Sequence, residues 1–189
     1  MDNGRERLVV MVDGICAVTN PFTGNIECSD PSTGPSRLIS VDRLTGRMSA
    51  TELPAVIRTV ENSPSFGNGR LVIANYGGYR AAPDVKGVVA LKRQAGAWVV
   101  DWVNDRVQMN GIPTISTGSN AVYSSGIGPS GEVEAIGLGL TGPTAGQIVM
   151  RAVIGDPAQW LDAGVNTIIP APDMLIYGAD AGIVRIGGR

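Results

Sequence analysis

The 189-residue chain contains no histidine and only two cysteines, Cys16 and Cys28. Without His the commonest general base is missing. The Ser/His and Cys/His nucleophile pairs and most zinc sites go with it. What remains for chemistry is a set of amides and carboxylates. Glu61, Asn62, Asn110 and Asn166 share one setting, a short polar segment that runs into a proline. The segments are Glu61-Asn62-Ser63-Pro64, Asn110-Gly111-Ile112-Pro113 and Asn166-Thr167-Ile168-Ile169-Pro170. An Asn there offers both donors and acceptors to a ligand at a channel mouth. It equally suits a tight turn, where its side chain bonds its own backbone. Asp101, Asp105, Glu132 and Glu134 raise the question of paired carboxylates. Glycosidase-type chemistry needs such a pair about 5–10 Å apart in a cleft. Nothing in the spacing provides that, and strand edges and turns in solvent account for these four. No residue is assigned a catalytic role or a metal-ligand role.

The two cysteines lie in a long segment, Asp13 to Ser36, rich in Gly, Pro, Ser, Thr and Asn. A disulfide between Cys16 and Cys28 would restrict that segment's unfolded ensemble, worth roughly 2–3 kcal/mol. It would also imply an oxidising compartment. Two independent thiols are the alternative; a metal held by two Cys without His is disfavoured. The loop Asn75-Tyr76-Gly77-Gly78-Tyr79-Arg80 offers aromatic rings for stacking on a sugar or other flat ligand, or is an ordinary hairpin connection. Trp98 and Trp102 are four apart in a β segment, which predicts one shared face and a packing role.

The elements that would position these residues form a repeat. An apolar strand, a Gly-containing connection and a second strand recur four times. The leading strands are Arg7–Val12, Arg70–Asn75, Asn120–Ser125 and Asp173–Gly178. Their partners are Arg37–Asp42, Gly87–Lys92, Gly131–Ile136 and Gly182–Ile186. The units start roughly 45–50 residues apart, the spacing of four-stranded propeller blades. The proline-ending segments supply an innermost strand to three units. A further strand follows three of the second strands, most clearly Gly96 to Val103. By this tally two units are whole and the outer two are incomplete. Helix signals are nearly absent; Asp156 to Leu161 is at most one decorated turn.

Composition agrees. Hydrophobic residues make up 43% and charged residues 17%, with 26 Gly and 12 Pro. This is the balance of a folded, turn-rich β protein and the opposite of disorder. A formal net charge of −2 without a basic block sets nucleic-acid binding aside. The longest apolar runs are far too short to span a bilayer. The first seven residues are polar, with no apolar leader core after them.

One motif carries a family resemblance. Ser40-Val41-Asp42-Arg43-Leu44-Thr45-Gly46-Arg47 resembles the repeat of pyrroloquinoline-quinone-dehydrogenase-like propellers, which runs roughly Ala-x-Asp-x-x-Thr-Gly-Lys-x-x-Trp. Asp42, Thr45 and Gly46 match; Arg47 stands for the Lys and Ala50 for the Trp. A second copy keeps Ala90 and Gly96, and a third keeps Ala135, Thr141 and Gly142. In the family these residues are structural. The resemblance implies an all-β propeller of about four blades, two of them incomplete, as part of a seven- or eight-bladed ring. A protein partner or self-association would then complete the ring. Pyrroloquinoline quinone and calcium are the cofactors it brings into view. The adjacent Cys pair that covers the quinone is not matched, nor is a full Glu/Asn/Asp calcium set. The expected function is therefore a non-catalytic repeat module, serving as a scaffold or binding a ligand or protein. The alternatives are part of a quinone-dependent oxidoreductase and a calcium-dependent propeller hydrolase. The expected location is periplasmic or extracellular, with the cytoplasm as the alternative.

Overall fold

The computed structural model describes residues 7–12, 18–19, 26–27, 36–57, 63–74, 76, 87–109, 111–127, 132–155, 167–171, 173–179 and 182–187. The chain is all-β, and its strands form successive antiparallel sheets. The first sheet holds β1 (Arg7–Val12), β4 (Arg37–Asp42) and β5 (Met48–Glu52), in that order. A two-stranded hairpin, β2 (Val18–Thr19) and β3 (Ile26–Glu27), interrupts it between β1 and β4. The second sheet is a four-stranded meander: β6 (Ser65–Gly67), β7 (Arg70–Ala74), β8 (Val88–Gln94) and β9 (Ala97–Asn104). The third contains β10 (Gln108–Met109), β11 (Thr114–Ser116), β12 (Ala121–Ile127), β13 (Val133–Gly139) and β14 (Ile148–Gly155). The fourth is β15 (Thr167–Ala171), β16 (Met174–Ala179) and β17 (Gly182–Gly187). The one helical turn among the described residues is a 3₁₀ turn at Gly142–Thr144.

β10 and β11 are two halves of one edge strand. Met109 pairs with Gly126 and Thr114 with Tyr123, so residues 111–113 stand opposite only Ser124 and Ser125. Ser124 stitches this bulge by donating its hydroxyl to the Gly111 carbonyl (2.8 Å), and the Gly111 N–H reaches Ser125 O (3.3 Å). With β10 and β11 taken together, the second and third sheets each have four strand positions and the first and fourth have three.

The sheets stack face to face in chain order, because both faces of the middle strands are apolar. In β7, Val72 and Ala74 point to one side and Leu71 and Ile73 to the other. The first pair packs with Val122, Ile136 and Leu138 of the third sheet. The second pair packs with Leu38 of the first sheet, and with Leu53 and Ile57 just beyond β5. β13 is buried along its whole length. Its Ala135 meets Leu175 and Tyr177 of the fourth sheet. Strands buried on both sides read as continuous apolar runs, which is why these segments stood out in the sequence.

The repeat motif is a set of turns. Asp42 Oδ1 accepts the N–H groups of Leu44 and Thr45 (both 3.0 Å), and Gly46 N–H bonds Asp42 O (2.9 Å). Gly46, Gly96 and Gly142 all adopt left-handed backbone, with φ of 67°, 85° and 75°. A side chain there is strained, so the motif keeps Gly in all three copies.

The hairpin between β8 and β9 turns through Ala95 and Gly96, both at positive φ. Such two-residue turns favour Asn or Asp before Gly, as Asn68-Gly69 does between β6 and β7. Ala95 has φ of 49°, a conformation costing an ordinary L-residue roughly 1–2 kcal/mol. Ala95→Asn is therefore expected to stabilise the protein by about 0.5–1 kcal/mol, read as a raised urea midpoint with an unchanged m-value.

Three sequence expectations need correction here. Trp98 and Trp102 do not share a face. Leu91 pairs with Val100 and Ala90 with Trp102, which leaves Asp101 as an extra residue between them. This bulge flips the alternation. Trp98 packs with the core between the first and second sheets, and Trp102 with the core between the second and third. The bulge also presents Asp101 to Arg70 and Lys92 (2.7 Å to the latter). Burial alone would raise the Asp101 carboxyl; the Lys92 and Arg70 cations outweigh it and hold its pKa below the ordinary range. Glu134 is likewise not a solvated edge residue. It is 2% exposed and lies 3.0 Å from Arg151. Finally, Tyr76 of the aromatic loop is buried in the core between the first two sheets, so its ring is not free to stack on a ligand.

Candidate functional site

Each of the three later sheets has a short edge strand near its start: β6, β11 and β15. These strands lie next to one another, and their exposed sides, with the residues that lead into them, line one groove of about 910 Å³. Its walls are Ser63, Ser65 and Phe66; then Ile112 through Gly118; then Thr167, Ile168 and Ile169.

Close approach at the groove floor has a residue-level cause. Gly67 has no side chain where one would meet Ile115 of the next sheet, at 2.6 Å from its Cγ2. Two hydroxyls then bridge the sheets in sequence. Ser65 Oγ donates to the Pro113 carbonyl, and Thr114 Oγ1 donates to the Thr167 carbonyl at 2.7 Å. Edge-strand carbonyls otherwise left unpaired are thereby satisfied. Further out, Trp102 Nε1 donates to Leu140 O (2.9 Å) and Asn104 Nδ2 to Gly146 O (2.7 Å). The second and third sheets are thus clasped at both inner and outer strands.

Among the described residues the groove lining is hydroxyl and apolar, with no ionisable side chain. Among the described residues no base neighbours its Ser and Thr hydroxyls, which there act as hydrogen-bonding alcohols. Phe66 is 56% exposed at the edge of the groove. It stacks edge-on against Trp98, with ring centroids 6.3 Å apart, and Arg93 sits over the Trp98 ring at 5.5 Å. Deep between the third and fourth sheets, Thr167 Oγ1 and the Tyr177 hydroxyl are cross-strand neighbours with no well-formed hydrogen bond. Burial pushes the Tyr177 phenol far above its ordinary value, with the Thr167 hydroxyl acting weakly the other way.

Glu61, Asn62, Asn110 and Asn166 lie outside the described residues, as do Cys16 and Cys28. Even so, the residues that follow the first four in the chain, Ser63, Ile112 and Thr167, are all groove-lining. The inner-strand reading named chain neighbours of the lining and not the lining itself. It missed the lining hydroxyls, whose signal was present: β6, β11 and β15 each open with Ser or Thr.

Quinone and calcium chemistry can be tested against these residues. Pyrroloquinoline quinone is a tricarboxylate, and calcium wants carboxylate oxygens. The described lining offers no cation for the first and no carboxylate for the second. Elsewhere, the buried Asp42 is taken up by the Leu44 and Thr45 N–H groups, and the half-buried Asp101 and the buried Glu134 are paired with cations. The described residues do not fit these groups. Among them, no helix is long and apolar enough to cross a membrane. No family model, no curated protein and no solved structure matches the chain.

Proposed function

We propose that the chain is a non-catalytic module of the propeller type, whose four sheets are blades, and that its inner groove binds an uncharged, hydroxyl-bearing ligand of the carbohydrate class. The observation that carries this reading is the groove itself. Three short strands, β6, β11 and β15, converge on one cavity of ligand size, whose described lining is alcohols and apolar groups without a charge. Ligand sites are mostly apolar with a few polar groups that fix orientation. An exposed Phe66 ring suits the apolar face of a sugar, and Ser63, Ser116 and Thr117 suit its hydroxyls. Convergence of first strands beside stacked sheets supports the blade reading.

The test is titration with neutral oligosaccharides, followed by heteronuclear NMR. Saturable shifts at β6, β11 and β15 are expected, little changed by salt, with affinity falling at least tenfold in Phe66→Ala. Failure of every neutral sugar to bind, or binding confined to anionic ligands and abolished by salt, would contradict it.

A further inference from the structure

The three interfaces between consecutive sheets share one plan. The apolar face of one sheet closes on the apolar face of the next. Two faces of the same kind remain outside this series. On the fourth sheet, Tyr177 and Leu175 face inward. The alternate positions therefore face outward: Ile168 pairs with Ile176, Ile176 with Arg185, and Gly178 with Ile183, so the isoleucines share that face with one charged residue. Ile168 is 57% exposed and Ile183 79%. On the first sheet, Leu38 faces inward, so Ile39 and Val41 face outward, and Met48, paired with Val41, is 70% exposed. Apolar side chains this exposed, grouped on one face, mark an interaction surface.

These two surfaces are opposite halves of one interface type. The outer face of the fourth sheet corresponds to the third-sheet face that receives the fourth. The outer face of the first sheet corresponds to the second-sheet face that receives the first. Neither is a self-complementary patch, so the contact they favour is head-to-tail.

From this continuity we infer that a second copy of the chain docks the face of its first sheet (Ile39, Val41, Met48) on the fourth-sheet face (Ile168, Ile176, Ile183). In a pair, each copy supplies one face of each kind. The two contacts close an eight-sheet ring with twofold symmetry and leave no apolar face exposed. The docking surface rests on the exposed faces. Closure after two copies rests on the propeller reading above.

Ile183→Asp and Met48→Lys, each surface changes, test it by light scattering coupled to size exclusion. The wild type is expected at twice the chain mass, and each variant alone at the chain mass with unchanged circular dichroism. An equimolar mixture of the two variants should return to twice the chain mass, because one contact then joins two unaltered faces. A monomeric wild type, or a dimer indifferent to both variants, would overturn the docking. An open series of oligomers that both variants cap would keep the docking and overturn the closed ring, and the propeller reading with it.

Discussion

Trp102→Ala is expected to remove about 3–5 kcal/mol of stability, among the largest effects of any single substitution here. The indole is buried between the second and third sheets with Val107, Leu138 and Leu140. It also lies against Gly146, where even a Cβ would come within 3.0 Å of the ring. The two surrounding sheets are held by their own ladders, so the void cannot readily collapse. Trp102→Phe separates the two contributions. It keeps most of the apolar volume but leaves the buried Leu140 carbonyl without the Nε1 donor (2.9 Å), a cost of about 1–3 kcal/mol. Trp98→Ala should cost clearly less, because Trp98 is only partly buried and its Nε1 has no partner to lose. Urea unfolding of the three variants gives the order directly. Equal losses for the two alanine variants would contradict the assignment of the tryptophans to different faces.

Arg151→Met is expected to destabilise the protein by about 2–3 kcal/mol near neutral pH and by little at pH 4. Removing one partner of a buried pair strands the other charge, at roughly 3–5 kcal/mol when both are buried. The lower figure applies because the Arg151 side chain is 35% exposed. Glu134 is the stranded group. In the wild type, desolvation already raises its pKa; Arg151 pulls it down, and Glu132 pushes it up. A carboxyl with a raised folded pKa binds its proton more tightly in the native state. Its stabilising contribution is complete below the unfolded value of about 4.3 and is lost as pH rises through the folded value. Loss of Arg151 lifts the folded pKa further, so the penalty grows between those limits and vanishes below them. Asp101 has the opposite sign. Its lowered pKa gives stability above the unfolded value that is lost as pH falls through the folded one. Glu134→Gln should accordingly rescue Arg151→Met at neutral pH. Urea midpoints at the two pH values check both statements.

Much of the architecture was legible because the middle strands are covered on two sides. Leu71-Val72-Ile73-Ala74 and Gly87 to Leu91 are unbroken apolar runs, and burial on both faces is what such runs require. The motif glycines were legible for a similar reason, since left-handed backbone admits few other residues. The paths of Trp98, Trp102 and Asp101 were not. They depend on one bulged residue in β9, and no period-2 reading of a single strand can reveal a register shift set by its neighbour. Glu134 was misread because it sits in β13, a central strand buried along its whole length, and its partner Arg151 lies on the neighbouring strand. The groove was half legible. Pro64 and Pro113 stand directly before β6 and β11, while Pro170 lies within β15. The groove's chemistry was not legible, because Ser65 and Thr114 gain their roles only when the next sheet brings a carbonyl to each hydroxyl.

The account depends on β6, β11 and β15 of successive sheets meeting along one groove. Nuclear Overhauser contacts in a methyl-labelled sample measure this directly. A contact between the Ile115 methyl and the Gly67 α-protons, together with one between Thr114 and Thr167, is predicted. Cross-strand contacts within each sheet, with neither of these two between sheets, would contradict it.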